Sequence, residues 1–112
     1  MCTRMSKNIL KTDVELSYLA GVFDGEGSMG RWSKGKNKGL AFRAQVEMAE
    51  GDVVLRFLSY FKKGSVYVRL PRAEKYKMMY HWRVNGEDAM NVVREMLPYL
   101  SKRRQQQFHE AA

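Results

Sequence analysis

The segment from Leu19 to Gly27, which reads LAGVFDGEG, constrains the fold more than any other part of this sequence. It continues a helical apolar pattern, yet it contains Gly21 and Gly25, and a glycine inside a helix costs about 1 kcal/mol relative to alanine. Small residues four apart let two helix backbones approach closely. Because the segment occurs once, the second helix is expected in another subunit of a twofold dimer. The predicted interface residues are Leu19, Ala20, Gly21, Asp24 and Gly25.

The charge balance indicates a polyanionic partner. The chain has 20 Lys and Arg against 12 Asp and Glu, a formal net charge of +8. Nucleic acid is favoured over a membrane, because no apolar run approaches the roughly 20 residues of a spanning helix. One cysteine and two histidines exclude an internal disulfide and a cysteine- or histidine-rich zinc site. We therefore expect a soluble intracellular protein of the cytoplasm or nucleoid, or of an organelle in a eukaryotic host.

Local patterns predict a flexible lead over residues 1–11 and a single domain over residues 12–112. Thr12 and Glu15 form a capping box in which each side chain bonds the backbone of the other. Asn85 is expected to cap a later helix with its side chain, and Pro98 to end it. The predicted elements are a helix from Thr12, strands 28–34 and 40–48, a helix 52–63, strands 65–70 and 78–84, a helix from Asn85, and a basic helix 99–109.

This order places the chain in the α+β class. Two hairpins make a four-stranded antiparallel sheet whose one face is covered by helices. Alternation along the strands puts Tyr80 and Trp82 in the core. The opposite face is polar, and its predicted members are Arg43, Gln45, Glu47, Arg69, His81 and Arg83.

The opening helix resembles the LAGLIDADG motif of homing endonucleases. The matching residues are Leu19, Ala20, Gly21, Asp24, Gly25 and Gly27, with Glu26 as the acid at the eighth position. The αββαββα order is also that of one subunit of this family. The resemblance implies an intron-homing endonuclease that acts as a homodimer, binds double-stranded DNA at a long pseudo-palindromic site, and hydrolyses it to staggered ends with short 3′ overhangs.

The dimer also predicts a metal site. Two Glu26 carboxylates at helix C-terminal ends repel each other unless a divalent cation neutralises them, and Mg²⁺ (or Mn²⁺) suits such ligands. The resemblance assigns metal binding to Glu26, with the carbonyl of Gly25 beside it. It also implies a catalytic cation in the basic cluster from Lys102 through Arg103 to Arg104, without fixing which one acts. Asp24 is expected to cap or stabilise the helix and not to bind metal.

The sheet is the predicted DNA-binding surface, because a sheet can enter the major groove and read base edges. By resemblance, the strands supply base contacts and the hairpin turns reach the flanking DNA. Trp32 fits a core position equally well, and the loop lysines suit phosphates better than bases. The predicted DNA-binding residues are Trp32, Lys34, Lys36, Lys38, Arg43, Gln45, Glu47, Arg69, Arg72, Lys75, Lys77, His81 and Arg83.

Three alternatives remain open at this point. The chain could keep the fold without cutting, as an intron RNA maturase or a DNA-binding regulator. It could be an interaction module that heterodimerises through its small-residue helix. The helix could also pack inside a monomer, with Glu26 a solvated end residue.

Overall fold

The computed structural model describes residues 12–71, 73 and 77–112. The helices are α1 (Asp13–Glu26), α2 (Gly51–Phe61), α3 (Gly86–Met96) and α4 (Lys102–Ala111), with a 3-10 turn at Leu97–Tyr99. The strands are β1 (Gly27–Ser33), β2 (Leu40–Met48), β3 (Ser65–Arg69) and β4 (Met79–Asn85). This confirms the α+β class and the αββαββα order, followed by a fourth helix. The predicted lead, residues 1–11, lies outside the described residues.

The four strands form one antiparallel sheet in the order β1-β2-β4-β3. The two hairpins join through β2 and β4, where Gln45 pairs with Arg83 and Glu47 with His81. The apolar side chains of alternate strand positions point to the helices and are buried with them. Trp82 is central to this core and stacks on Phe57 of α2 at 4.9 Å between ring centroids. In the described part of the chain, every helix is too short or too polar to cross a membrane.

Half of the predicted capping box at the start of α1 is present. The Thr12 hydroxyl accepts the backbone N–H of Glu15 at 3.1 Å, as expected. The predicted reciprocal bond, from the backbone N–H of Thr12 to the Glu15 side chain, is wrong. The Glu15 carboxylate instead accepts hydrogen bonds from Nε and Nη2 of Arg56 on α2, at 2.9 and 2.6 Å. A bidentate guanidinium is a stronger donor than a neutral backbone N–H, so it takes the carboxylate.

The helices after β4 also differ from the prediction in detail. Asn85 occupies the N-cap position of α3, but its side chain makes no capping bond there. Its Oδ1 accepts Nε of Arg43 instead, at 2.7 Å, again because a charged donor is preferred. Pro98 ends α3 in a 3-10 turn, and α4 starts only at Lys102, where the Ser101 hydroxyl accepts the N–H of Arg104 at 3.3 Å.

Candidate functional site

Helix α1 presents two opposite faces. Leu19, Ala20 and Phe23 are fully buried against the core of the chain. The prediction that Leu19 and Ala20 contact a second subunit is therefore wrong, because their side chains are already packed within this one. The other face is exposed and has a heptad-like spacing of four, three and four residues. It is formed by Val14, Tyr18, Gly21 and Gly25.

Asp24 serves its own chain. Its Oδ1 accepts the backbone N–H of Ser101 at 3.0 Å, immediately before α4. This hydrogen bond is the main reason that the pKa of Asp24 is lowered, and the nearby charges of Arg104 and Arg103 add to it. The Asp24 carboxylate therefore ties α4 to the end of α1. Its expected role of capping or stabilising α1 is replaced by this contact, and its place at a dimer interface stays a prediction.

Glu26 is the last residue of α1 and is exposed, as is the preceding Gly25. Within the described part of the chain, its carboxylate has no hydrogen-bond or ion-pair partner. Among those same residues, no three acidic, histidine or cysteine side chains lie close enough to hold a metal together. The described part of one chain thus offers one unpartnered carboxylate at this point.

The basic cluster at the start of α4 divides into two roles. Lys102 and Arg103 are exposed, whereas Arg104 is only 7% exposed. The Arg104 guanidinium donates to the carbonyls of Asp24 at 3.2 Å and Gly27 at 2.5 Å. Arg104 therefore holds α4 against the junction of α1 and β1, which leaves Lys102 and Arg103 as the available cations beside the end of α1.

The final glycine of the LAGVFDGEG segment is required by packing. The ring of Phe23 lies so close to Gly27 that a Cβ there would sit 2.3 Å from it. The Arg104 guanidinium lies over the same ring, 5.6 Å from its centroid. A side chain at Gly27 would displace Phe23 from the core and disturb the contacts of Arg104.

The sheet face away from the helices carries the predicted polar side chains together. Register and alternation place Trp32 on this face as well, half-buried, so the core alternative for Trp32 is wrong. The polar face consists of Ser28, Gly30, Trp32, Ala41, Arg43, Gln45, Glu47, Ser65, Tyr67, Arg69, Met79, His81, Arg83 and Asn85.

His81 lies at the centre of this face and is covered. The residue is 8% exposed, with Nε2 3.1 Å from Oε1 of Gln45 and Nδ1 3.0 Å from the hydroxyl of Tyr67. Arg83 donates to that hydroxyl at 2.7 Å. Burial lowers the pKa of His81. The sequence predicts a direct contact of His81 with DNA, but in the free chain both ring nitrogens are already engaged by neighbours.

Two further pairs flank this centre. Glu47 of β2 accepts a hydrogen bond from Arg69 of β3 across the intervening strand. Arg43 bonds Asn85 and lies over the Trp32 ring, 5.4 Å from its centroid. These two pairs hold Arg69 and Arg43 over the sheet, because each hydrogen bond restricts a long side chain. Contacts of these residues with DNA stay predictions.

The turns carry the remaining predicted DNA-binding residues. Lys77 and the three lysines of the first hairpin are exposed, and Arg72 and Lys75 lie outside the described residues. A cleft of about 430 Å³ opens where this hairpin meets the polar face. It is lined by Trp32, Ser33, Lys34, Ala41, Arg43, Asn85 and Gly86.

Two side chains of the polar face, Tyr67 and Asn85, are absent from the predicted DNA-binding residues. Both could have been found by alternation, since Tyr67 is two residues from Arg69 and Asn85 two from Arg83. The separation of Arg104 from its two basic neighbours had no comparable signal, because all three belong to one run of the sequence.

Comparison with solved structures identifies the fold. The chain superposes on the group I intron-encoded homing endonuclease I-CeuI complexed with DNA, with a TM-score of 0.69 and 14% identity over 92% of this chain. It matches the archaeal intron-encoded homing endonuclease I-Vdi141I, complexed with DNA, with a TM-score of 0.66 and 15% identity over 88% of this chain. It matches the LAGLIDADG meganuclease I-AabMI, bound to uncleaved DNA, with a TM-score of 0.63 and 18% identity over 86% of this chain.

The chain spans 54%, 66% and 34% of the lengths of these three proteins. No protein-family model matches the sequence, and no curated protein matches it either. At these identities the likeness shows the fold.

Proposed function

We propose that this chain, whose fold is that of the LAGLIDADG homing endonucleases, is a site-specific endonuclease that hydrolyses double-stranded DNA as a homodimer with Mg²⁺ or Mn²⁺. One observation carries the proposal. Glu26, the residue of α1 that directly follows the exposed stripe, is an acid without a partner in the described part of the chain, beside a basic polar sheet. A merely solvated helix end would not account for Gly21 and Gly25 on that stripe.

The exposed stripe of α1 suits a close contact with a second copy. A Cβ placed on Gly21 or Gly25 meets nothing within 4 Å in the described part of the chain, so the backbone there is open to another helix. Val14 is 82% exposed and Tyr18 41%, and both gain by burial against the same partner. A twofold axis along this stripe brings the two copies of Glu26 together.

The donor set at the paired helix ends fits a hard divalent cation. Each copy supplies the carboxylate of Glu26, with the carbonyl of Gly25 next to it, and oxygen is the ligand that Mg²⁺ and Mn²⁺ prefer. When bound, such a metal supplies a hydroxide nucleophile and stabilises the leaving oxygen. Lys102 and Arg103 add positive charge beside the scissile phosphate, because α4 is fixed to the end of α1.

DNA would lie across the polar sheet face. Arg43 and Arg83 place two guanidinium groups on neighbouring strands, which suits bases in the major groove. The hairpin lysines suit phosphates on either side. Two subunits related by a twofold axis would read a near-palindrome, with a half-site for each sheet.

Cleavage of a randomised duplex library in Mg²⁺, with the new ends sequenced, tests this function. We expect breaks at one pseudo-palindromic site, with short 3′ overhangs and binding that weakens steeply as salt is raised. Salt-sensitive selection of one sequence without cutting would assign the chain to the non-cleaving DNA-binding proteins of the same fold. Binding to structured RNA alone would favour the maturase function.

Replacing Gly21 and Gly25 together with glutamine is expected to separate folding from dimerisation. Glutamine is a good helix former and has open space at both positions, so the isolated subunit should gain up to about 1 kcal/mol per site. The longer side chains would block the helix contact, so sedimentation equilibrium should show monomer where the native protein is dimeric. Ser59→Gln, on the exposed side of α2, is the matched control. An unchanged dimer would place the interface elsewhere.

A further inference from the structure

The three central side chains of the polar face form a hydrogen-bond relay across three strands. Gln45 on β2, His81 on β4 and Tyr67 on β3 are joined in that order. The His81 and Tyr67 rings stack, with centroids 4.6 Å apart and an interplanar angle of 20°. Because His81 is buried between its neighbours, the relay is a fixed part of the surface that faces outward.

The donors and acceptors of the relay fit a neutral imidazole with its proton on Nε2. Arg83 can only donate, so the Tyr67 oxygen accepts its N–H, and the Tyr67 hydroxyl can donate its proton to Nδ1 of His81. The oxygen of Gln45 can only accept, so Nε2 of His81 carries the ring proton. A neutral imidazole with its proton on Nε2 satisfies both ends.

The electrostatic surroundings favour that neutral ring. Burial is the largest cause of the lowered pKa of His81, and one neighbouring charge among the described residues opposes it. The opposing charge is Glu47, whereas the cations that lower the pKa further are Arg83, Arg69 and Arg43.

We infer that His81 is a positioning residue that makes Gln45 prefer guanine to adenine in the DNA target. The ring holds the Gln45 oxygen and leaves its amide NH₂ for an incoming base. Guanine offers two acceptors, N7 and O6, in the major groove, whereas paired recognition of adenine needs the glutamine oxygen as well. The inference rests on the proposed DNA-binding function, and it differs from the ordinary pairing of glutamine with adenine.

Selection of binding sequences from randomised duplexes, in EDTA so that nothing is cut, tests the preference. Gln45→Ala should erase the choice at one position of each half-site and so identify it. There the native protein should select guanine, and His81→Phe, which keeps a stacking ring without its nitrogens, should raise adenine relative to guanine roughly tenfold. His81→Gln, whose amide can still donate to Gln45, should keep guanine. Selection of adenine by the native protein would overturn the inference. So would an unchanged preference for guanine in His81→Phe, or a loss of base preference at every position in that variant.

Nuclear magnetic resonance of the free protein tests the relay without DNA. Long-range ¹H–¹⁵N spectra distinguish the two imidazole tautomers, and His109→Gln leaves His81 as the one histidine signal. We expect the proton on Nε2 and a titration midpoint below the usual 6.5. A proton on Nδ1 would overturn the inference even if DNA cleavage succeeds. An Nε2 proton together with no DNA selection would instead refute the proposed DNA-binding function, and the guanine preference with it.

Discussion

Replacing Glu26 with glutamine is expected to lower the rate of DNA cleavage by roughly 10³-fold, because the variant loses the charged ligand that we propose each subunit contributes to the metal. Loss of several kcal/mol of charge stabilisation in the transition state corresponds to a change of this size. At protein concentrations where both proteins are dimeric, DNA affinity in EDTA should stay within about threefold, since the polar sheet face is unaltered. Single-turnover cleavage and equilibrium binding of the selected duplex measure the two effects separately.

Glu26→Gln is also expected to change dimer stability, which substitution of a merely solvent-exposed residue would not do. Two carboxylates at adjoining helix ends repel each other without metal, so the Glu26→Gln dimer should dissociate less readily than the native dimer in EDTA. Glu110→Gln, at an exposed acid of α4, is the matched control and should change neither cleavage nor assembly. Cleavage by Glu26→Gln at the native rate would contradict the catalytic role and favour the reading of Glu26 as an ordinary helix end.

Features set by short-range periodicity could be predicted from the sequence. The polar face follows from alternation along β2 and β4, and α1 from its apolar spacing and the cap at Thr12. Within the motif, the prediction is wrong at Leu19 and Ala20: it places them at a subunit contact, although the core of the chain already needs their face of α1. The sequence pattern cannot say which of two opposite faces meets which partner.

Contacts between distant parts of the chain account for the other differences. Glu15 meets Arg56 41 positions later, and the covering of His81 needs side chains from two other strands. A local sequence pattern indicates which hydrogen bonds a residue is able to form. Tertiary packing decides which of the competing partners lies close enough to form them. Arg104 is the sharpest case, since only the rotation of α4 against the end of α1 distinguishes it from Arg103.

That distinction gives the largest expected effect on stability. Arg104→Met should lower the free energy of unfolding by about 3 kcal/mol, because it removes charged hydrogen bonds and leaves the part-buried carbonyl of Asp24 and the buried carbonyl of Gly27 without their donor. Arg103→Met should change stability by less than about 0.5 kcal/mol, since its side chain is exposed. Urea unfolding followed by circular dichroism measures both values.

Among folded proteins, the effects of the two substitutions on cleavage should have the opposite order to their effects on stability. At a temperature where both proteins are folded, Arg103→Met should cleave more slowly if its charge acts beside the scissile phosphate, and Lys102→Met tests the neighbouring cation in the same way. Arg104→Met should lose activity mainly as it unfolds, because the native Arg104 guanidinium donates to backbone carbonyls and holds α4 in place. If Arg104→Met were as stable as the native protein yet inactive, Arg104 itself would be the catalytic cation, and the division of the basic cluster drawn from its burial would be wrong.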